Sequence, residues 1–152
     1  MFDPATTLQL ARHIAAPRHR IWEAWSDPHQ LQRWWCPRPW RIEIKDFGFD
    51  HGGAFDSVMH GPEGDEMPVR GCFLQIEPQS LIVFTSLMSE GFAPIETDLA
   101  FTARINLTEV DEGTRYGATV LHRNAEDNEK HRAMGFHEGW GAALDQLAAL
   151  VE

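Results

Sequence analysis

Residues 124–151, NAEDNEKHRAMGFHEGWGAALDQLAALV, read as one long amphipathic helix, and the rest of the chain is organised around it. At about 100° per residue from Trp140, one face gathers Ala133, Phe136, Trp140, Ala143, Leu144, Leu147, Leu150 and Val151, with Glu138, Asp145 and Ala149 opposite. Asn124 is placed to cap the first turn, and Glu126, Asp127 and Glu129 suit the positive end of the helix dipole. Gly135, Gly139 and Gly141 oppose the assignment, since each costs a helix interior about 1 kcal/mol relative to alanine. Two readings account for them. They let a neighbouring strand come close, or they leave room beside Phe136 and Trp140 for a ligand.

An apolar stripe of this width needs a large partner, and the preceding sequence supplies strands. Residues 6–16, TTLQLARHIAA, alternate Leu8, Leu10 and Ile14 with Gln9 and His13, as a half-buried strand does. Pro17 then opens a short helix carrying Ile21, Trp22 and Trp25 to about Ser26. Asp27 and Pro28 start a second short helix with Leu31, Trp34 and Trp35, which Pro37 and Pro39 stop. Trp40, Ile42 and Ile44 alternate in the next run, HGG at 51–53 turns the chain, and AFDSVMH carries Phe55 and Met59 to the GPEG turn at 61–64. MPVRGCFLQIEP and SLIVFTSLMS are apolar on both sides of the pleat, which suits central strands and leaves their facing open. Residues 97–110 place Leu99, Phe101, Ile105 and Leu107 on one face and Asp98, Thr102, Arg104 and Asn106 on the other. After the DEG turn at 111–113, Tyr116, Ala118, Val120 and His122 share a face. The expected architecture is therefore α+β: a curved antiparallel sheet of about six or seven strands wrapped round the long terminal helix, with two short helices after strand one closing an end.

Length and composition bound the function. A chain of 152 residues makes one domain, 1–152, and buries roughly 70% of its unfolded surface without metal or disulfide. Thirteen basic against 23 acidic residues give a formal net charge of −10, which speaks against nucleic acid or an anionic membrane as partner. The opening MFDPATTLQL has neither a basic start nor a long apolar run, so the expected location is cytoplasmic. Cys36 and Cys72 lack metal-type spacing and are expected to be reduced.

Five segments resemble a known family: RHIAAPRHRIWEAWSDPHQLQRWWCPRPW at 12–40, GGAFDSVMHGPEG at 52–64, GCFLQIEP at 71–78, GTRYGATVLH at 113–122 and KHRAMGFHEGWGAALDQL at 130–147. Together they resemble the SRPBCC superfamily, also called START-like or helix-grip, which includes the birch-pollen-allergen fold. Within it the chain is similar to bacterial proteins related to the C-terminal domain of the heat-shock chaperone ATPase activator. The resemblance implies a helix-grip sheet with a cavity for apolar small molecules. It also brings a chaperone partner into view, with a homodimer left open. The superfamily spans lipid binders, polyketide-cyclase-like enzymes and co-chaperones, so fold alone does not decide function.

The residues themselves favour a binder of a small, largely apolar, aromatic molecule between sheet and helix. The expected ligand-binding set is Trp25, Trp34, Trp35, Met59, Phe73, Met88, Phe101, His122, Phe136 and Trp140, because ring-rich walls suit planar ligands. Core packing is the plainer reading of each tryptophan. His122 and His137 are expected to meet in the cavity as polar anchors. Were the protein a cyclase- or hydrolase-like enzyme on aromatic or polyketide-like compounds, the same two would move the proton. His131 and His137 are six apart on the helix and face differently, so no metal site is expected. No cofactor is expected either. Ser57, Ser86, Ser89, Cys36 and Cys72 stand beside no recognisable base, and no glycine-rich loop precedes a helix to hold a nucleotide.

Overall fold

The alternation of the first apolar run produces strand β1 (Thr7–Ile14), and Pro17, with its fixed φ, leads into helix α1 (Arg18–Ser26). The computed structural model describes residues 2–152. Asp27 caps helix α2 (Pro28–Leu31), its carboxylate accepting from the His29 N–H at 2.9 Å. This helix is shorter than its sequence suggests. The Arg33 and Trp34 N–H groups turn back to the Gln30 and Leu31 carbonyls three residues away, so Trp34 and Trp35 lie in the tightened turn beyond α2 and not on it.

Strands β2 (Arg41–Phe47) and β3 (Phe55–His60) form the expected hairpin, and β4 (Glu66–Val69) adds to it as a three-stranded sheet. The run at 67–78 does not continue as one strand. It breaks at Arg70 and Gly71, and β5 (Cys72–Glu77) belongs to a different sheet. Gly71 is the corner because a Cβ there would stand 3.0 Å from the Thr85 carbonyl oxygen and 3.2 Å from that of Phe55. The second apolar run divides likewise into β6 (Leu81–Thr85) and β7 (Met88–Ser89), the latter paired with β8 (Ala93–Pro94) in a two-stranded ribbon. Strands β9 (Thr102–Val110) and β10 (Gly113–Leu121) follow the alternation read from the sequence, except that the strand expected from 97 begins only at Thr102, so Leu99 and Phe101 lie ahead of it.

The main sheet has the order β1-β10-β9-β6-β5, and every pairing is antiparallel. Among the described residues the expected six or seven strands are thus ten short ones in sheets of five, three and two, with an Ala54–Cys72 bridge joining the two larger sheets. The facing left open by sequence is decided here: Phe73, Ile82 and Phe84 enter the core, while Val83 pairs with Arg104 on the other face.

The terminal segment is two helices, α3 (Ala125–Ala133) and α4 (Phe136–Val151). Asn124 caps α3 as expected, accepting from the Asp127 N–H at 2.8 Å. Gly135 ends it, with φ +93°, a left-handed conformation that glycine adopts without penalty. One continuous helix is therefore incorrect, and Ala133, assigned to the inner stripe, is exposed. Helix α4 keeps that stripe, burying Phe136, Ala143, Leu144, Leu147 and Val151 against Ile14, Ile105, Tyr116 and Val120 in one cluster with Ile21, Trp25 and Leu31 of the short helices. A Cβ on Gly139 or Gly141 would meet nothing within 4 Å, so no strand comes close there and the first reading of those glycines falls. Among the described residues no helix is long and apolar enough to cross a membrane.

Candidate functional site

Helix α1 and the turn after α2 deliver three indoles to one place. Trp25 packs at 5.4 Å from Trp34 and 4.8 Å from Trp35, and Trp35 continues to Trp140 of α4 at 5.3 Å. From the two larger sheets Phe55 and Phe73 stack at 4.7 Å and Phe84 bridges Trp25 and Trp35, and from the segment just ahead of β9 Phe101 reaches Trp140 at 6.2 Å. Edge contacts of this kind contribute about 0.5–1.5 kcal/mol each beyond the area they bury. The cluster is continuous, but its members differ in access. Trp25, Trp34, Phe73 and Phe136 are closed off from solvent, and both indole N–H groups are satisfied inside: Trp25 donates to the Tyr116 hydroxyl at 3.1 Å and Trp34 to the Ala24 carbonyl at 3.0 Å. These four are core walls. Trp35, Phe101 and Trp140 are half-buried and form the reachable edge of the cluster.

The remaining expected residues scatter. Met59 lies on β3 between Ile42 and Met67, and Met88 on the ribbon strand β7; neither belongs to the ring cluster. His137 is exposed on the outer side of Phe136 and does not meet His122, which corrects its assignment as an inner anchor. The space expected between Phe101, His122 and Trp140 is filled by another ring, that of His131, at 5.0 Å from Phe101, 5.2 Å from His122 and 6.3 Å from Trp140. His122 Nε2 and His131 Nδ1 are 3.0 Å apart, and His122 Nδ1 is 3.1 Å from the Thr6 carbonyl oxygen. Burial, and after it the neighbouring His122, pull His131 down to about 4, so its ring is neutral near pH 7. Among the described residues no group of three His, Cys, Asp or Glu is arranged to hold a metal ion.

Two structural groups went unread in the sequence. Gln146 on α4 accepts from the Arg38 N–H at 3.0 Å and donates to the carbonyls of Trp34 and Cys36 at 3.0 and 2.9 Å, clamping the tryptophan turn to the helix. Gln146→Ala leaves all three backbone groups unpaired and is expected to lower stability by about 1–3 kcal/mol in a urea titration; an unchanged midpoint would show the clamp to be idle. Asn128 is the second. It and His131 are the buried residues of α3, and its Oδ1 is buried with no hydrogen-bond partner. Spacing could have flagged both, since positions 128 and 131 share a helix face.

Cys36 and Cys72 are free and buried, burial lifting the Cys36 thiol to about 11, and Ser86 Oγ donates to the Leu99 carbonyl at 2.7 Å. Two surface hollows, about 380 Å³ beside Pro17 and Glu112 and about 600 Å³ among Arg70, Glu96 and Arg123, lie away from the rings.

A protein-family model described as Activator of Hsp90 ATPase homolog 1-like protein matches residues 15–152. The crystal structure of a protein from Nitrosomonas europaea is 35% identical, covering 98% of this chain and 96% of that one, with a TM-score of 0.93. A crystal structure from Mycobacterium smegmatis is 30% identical over 97% of this chain and 91% of that one, with a TM-score of 0.83. A solution structure of a protein from Arthrobacter aurescens is 28% identical over 98% and 88%, with a TM-score of 0.85. No curated protein matches the chain.

Proposed function

Since the chain belongs to the family of Activator of Hsp90 ATPase homolog 1-like proteins, we propose that it acts in the cytoplasm as a binder of a small, largely apolar, planar molecule at the end of the grip between sheet and terminal helix. One observation supports this reading most. Trp35, Phe101 and Trp140 are half-buried rings in edge contact, and Gly139 and Gly141 on either side of Trp140 leave open space where side chains would stand. A planar ligand laid on these rings covers apolar surface that the fold leaves wet, at about 25 cal/mol per Å². Trp25, Trp34, Phe73 and Phe136 back the site from inside, and His122 acts through His131. Met59 and Met88 drop out because they pack elsewhere.

The test is native mass spectrometry of gently purified protein, followed by tryptophan-fluorescence titration with the compound that co-purifies or, failing that, with naphthalene-type probes. Binding is expected to fall at least tenfold in Trp140→Ala, through loss of one stacking wall. Equal affinity in that variant would sink the proposal. The family description favours a second reading, docking to a heat-shock chaperone; stoichiometric recovery of the purified chaperone on immobilised protein would support it over the first.

A further inference from the structure

Helix α3 buries an unusual pair. A nine-residue amphipathic helix ordinarily turns aliphatic side chains inward, yet the buried residues of α3 are Asn128 and His131. Buried polar groups are destabilising unless something satisfies them, by roughly 1–3 kcal/mol each. Here the satisfaction is incomplete. Asn128 Oδ1 is buried with no partner, and among the described residues His131 is hydrogen-bonded only through Nδ1, its ring centred 5.0, 5.2 and 6.3 Å from those of Phe101, Phe136 and Trp140.

The polarity of His131 Nε2 can be deduced atom by atom. A carbonyl oxygen only accepts, so the 3.1 Å contact with Thr6 requires the proton of His122 on Nδ1. In the neutral ring His122 Nε2 is then a bare acceptor, and the 3.0 Å contact requires His131 Nδ1 to donate to it. Neutral His131 consequently presents Nε2 as an acceptor. The Thr6 carbonyl sets the tautomer of both rings through a two-step chain, and Asn128 Oδ1 is a second acceptor on the same buried face.

The geometry points to a polar anchor for a hydrogen-bond donor: His131 Nε2 receives the hydroxyl or N–H of a planar aromatic ligand, with His122 as the positioning residue that fixes the tautomer. The ligand class is a neutral hydroxylated or N–H-bearing aromatic, such as a phenol. An aromatic carboxylate or phosphate is disfavoured twice over, because it offers acceptors to an acceptor and because the chain carries a net charge of −10. This inference rests on the ring site proposed above and adds to it the atom that orients the ligand.

Two probes of nearly equal shape separate the two claims. Tryptophan fluorescence would be titrated with 2-naphthol, which donates, and with 2-methoxynaphthalene, which cannot. The expected result is that 2-naphthol binds about threefold to tenfold more tightly, the worth of one hydrogen bond. In His131→Phe, which keeps a flat ring in the same space, the ratio of the two affinities should fall to about one. Binding of both probes with equal affinity in the wild-type protein would overturn the anchor and leave the ring site standing. Failure of both to bind would remove the ring site and the anchor with it. A preference that survives in folded His131→Phe would overturn the assignment to His131. The wild-type comparison decides the first two outcomes even if the variant does not fold.

Discussion

Trp25→Ala is expected to lower the unfolding free energy by about 3–5 kcal/mol, a large share of the roughly 5–15 kcal/mol that holds a domain together. The side chain is 0% exposed and touches Trp34, Trp35, Phe55 and Phe84, so its removal empties the centre of the ring cluster. It also strands the Tyr116 hydroxyl, which burial keeps protonated far above the normal range and whose hydrogen-bond partner is the Trp25 N–H. Tyr116→Phe, which removes only that acceptor, should cost less, about 1–2 kcal/mol. Urea unfolding followed by circular dichroism measures both. A Trp25→Ala midpoint within about 1 kcal/mol of wild type would mean that the ring cluster is loosely packed and that the helices alone close the core.

Acidification should destabilise the protein through His131, and the sign follows from the direction of its shift. The folded ring is held down to about 4 by burial and by His122, whereas in the unfolded chain it returns to 6.5. Between those values the unfolded state binds the extra proton, so stability is fully present above pH 6.5 and is lost as the pH falls towards 4. The loss over that window is about 2–3 kcal/mol, a little below what the whole shift converts to at about 1.4 kcal/mol per unit. Urea unfolding at pH 7 and at pH 4.5 would measure it, with His131→Phe as the reference that removes this titration and leaves the surface carboxylates in place. The wild-type protein should lose more stability than the variant between the two pH values. Parallel losses would show that His131 titrates normally, and hence that its pocket is wet.

Much of the architecture is legible without coordinates, because the signals that decide it are local. Strands β9 and β10 alternate apolar and polar residues at a period of two, and the buried Ile105, Leu107, Tyr116, Ala118 and Val120 are those the alternation selects. Asn124 and Asp27 cap their helices because a side-chain oxygen two or three residues from a free N–H needs only local geometry. The inner stripe of α4 from Phe136 to Val151 follows from helical spacing alone.

The site is less legible, and the reason lies largely at one residue. Along an unbroken helix His131 stands nine positions before Trp140, about 180° away, and Ala133 about 20° away. The positive φ of Gly135 breaks that phase, so Ala133 turns out to solvent and His131 turns in to meet Phe101, Trp140 and His122. Whether a glycine after a lysine- and arginine-bearing turn ends a helix or is carried through it depends on what each half packs against, and that is a non-local matter. Trp34 and Trp35 repeat the lesson, since the turn that carries them is fastened to α4 by Gln146, more than 100 residues away. Periodicity and capping determined which elements form and in what order; side-chain directions across Gly135, the corner at Gly71 and the division of the rings into core walls and an open edge were decided only by tertiary packing, because each rests on contacts between residues distant in sequence.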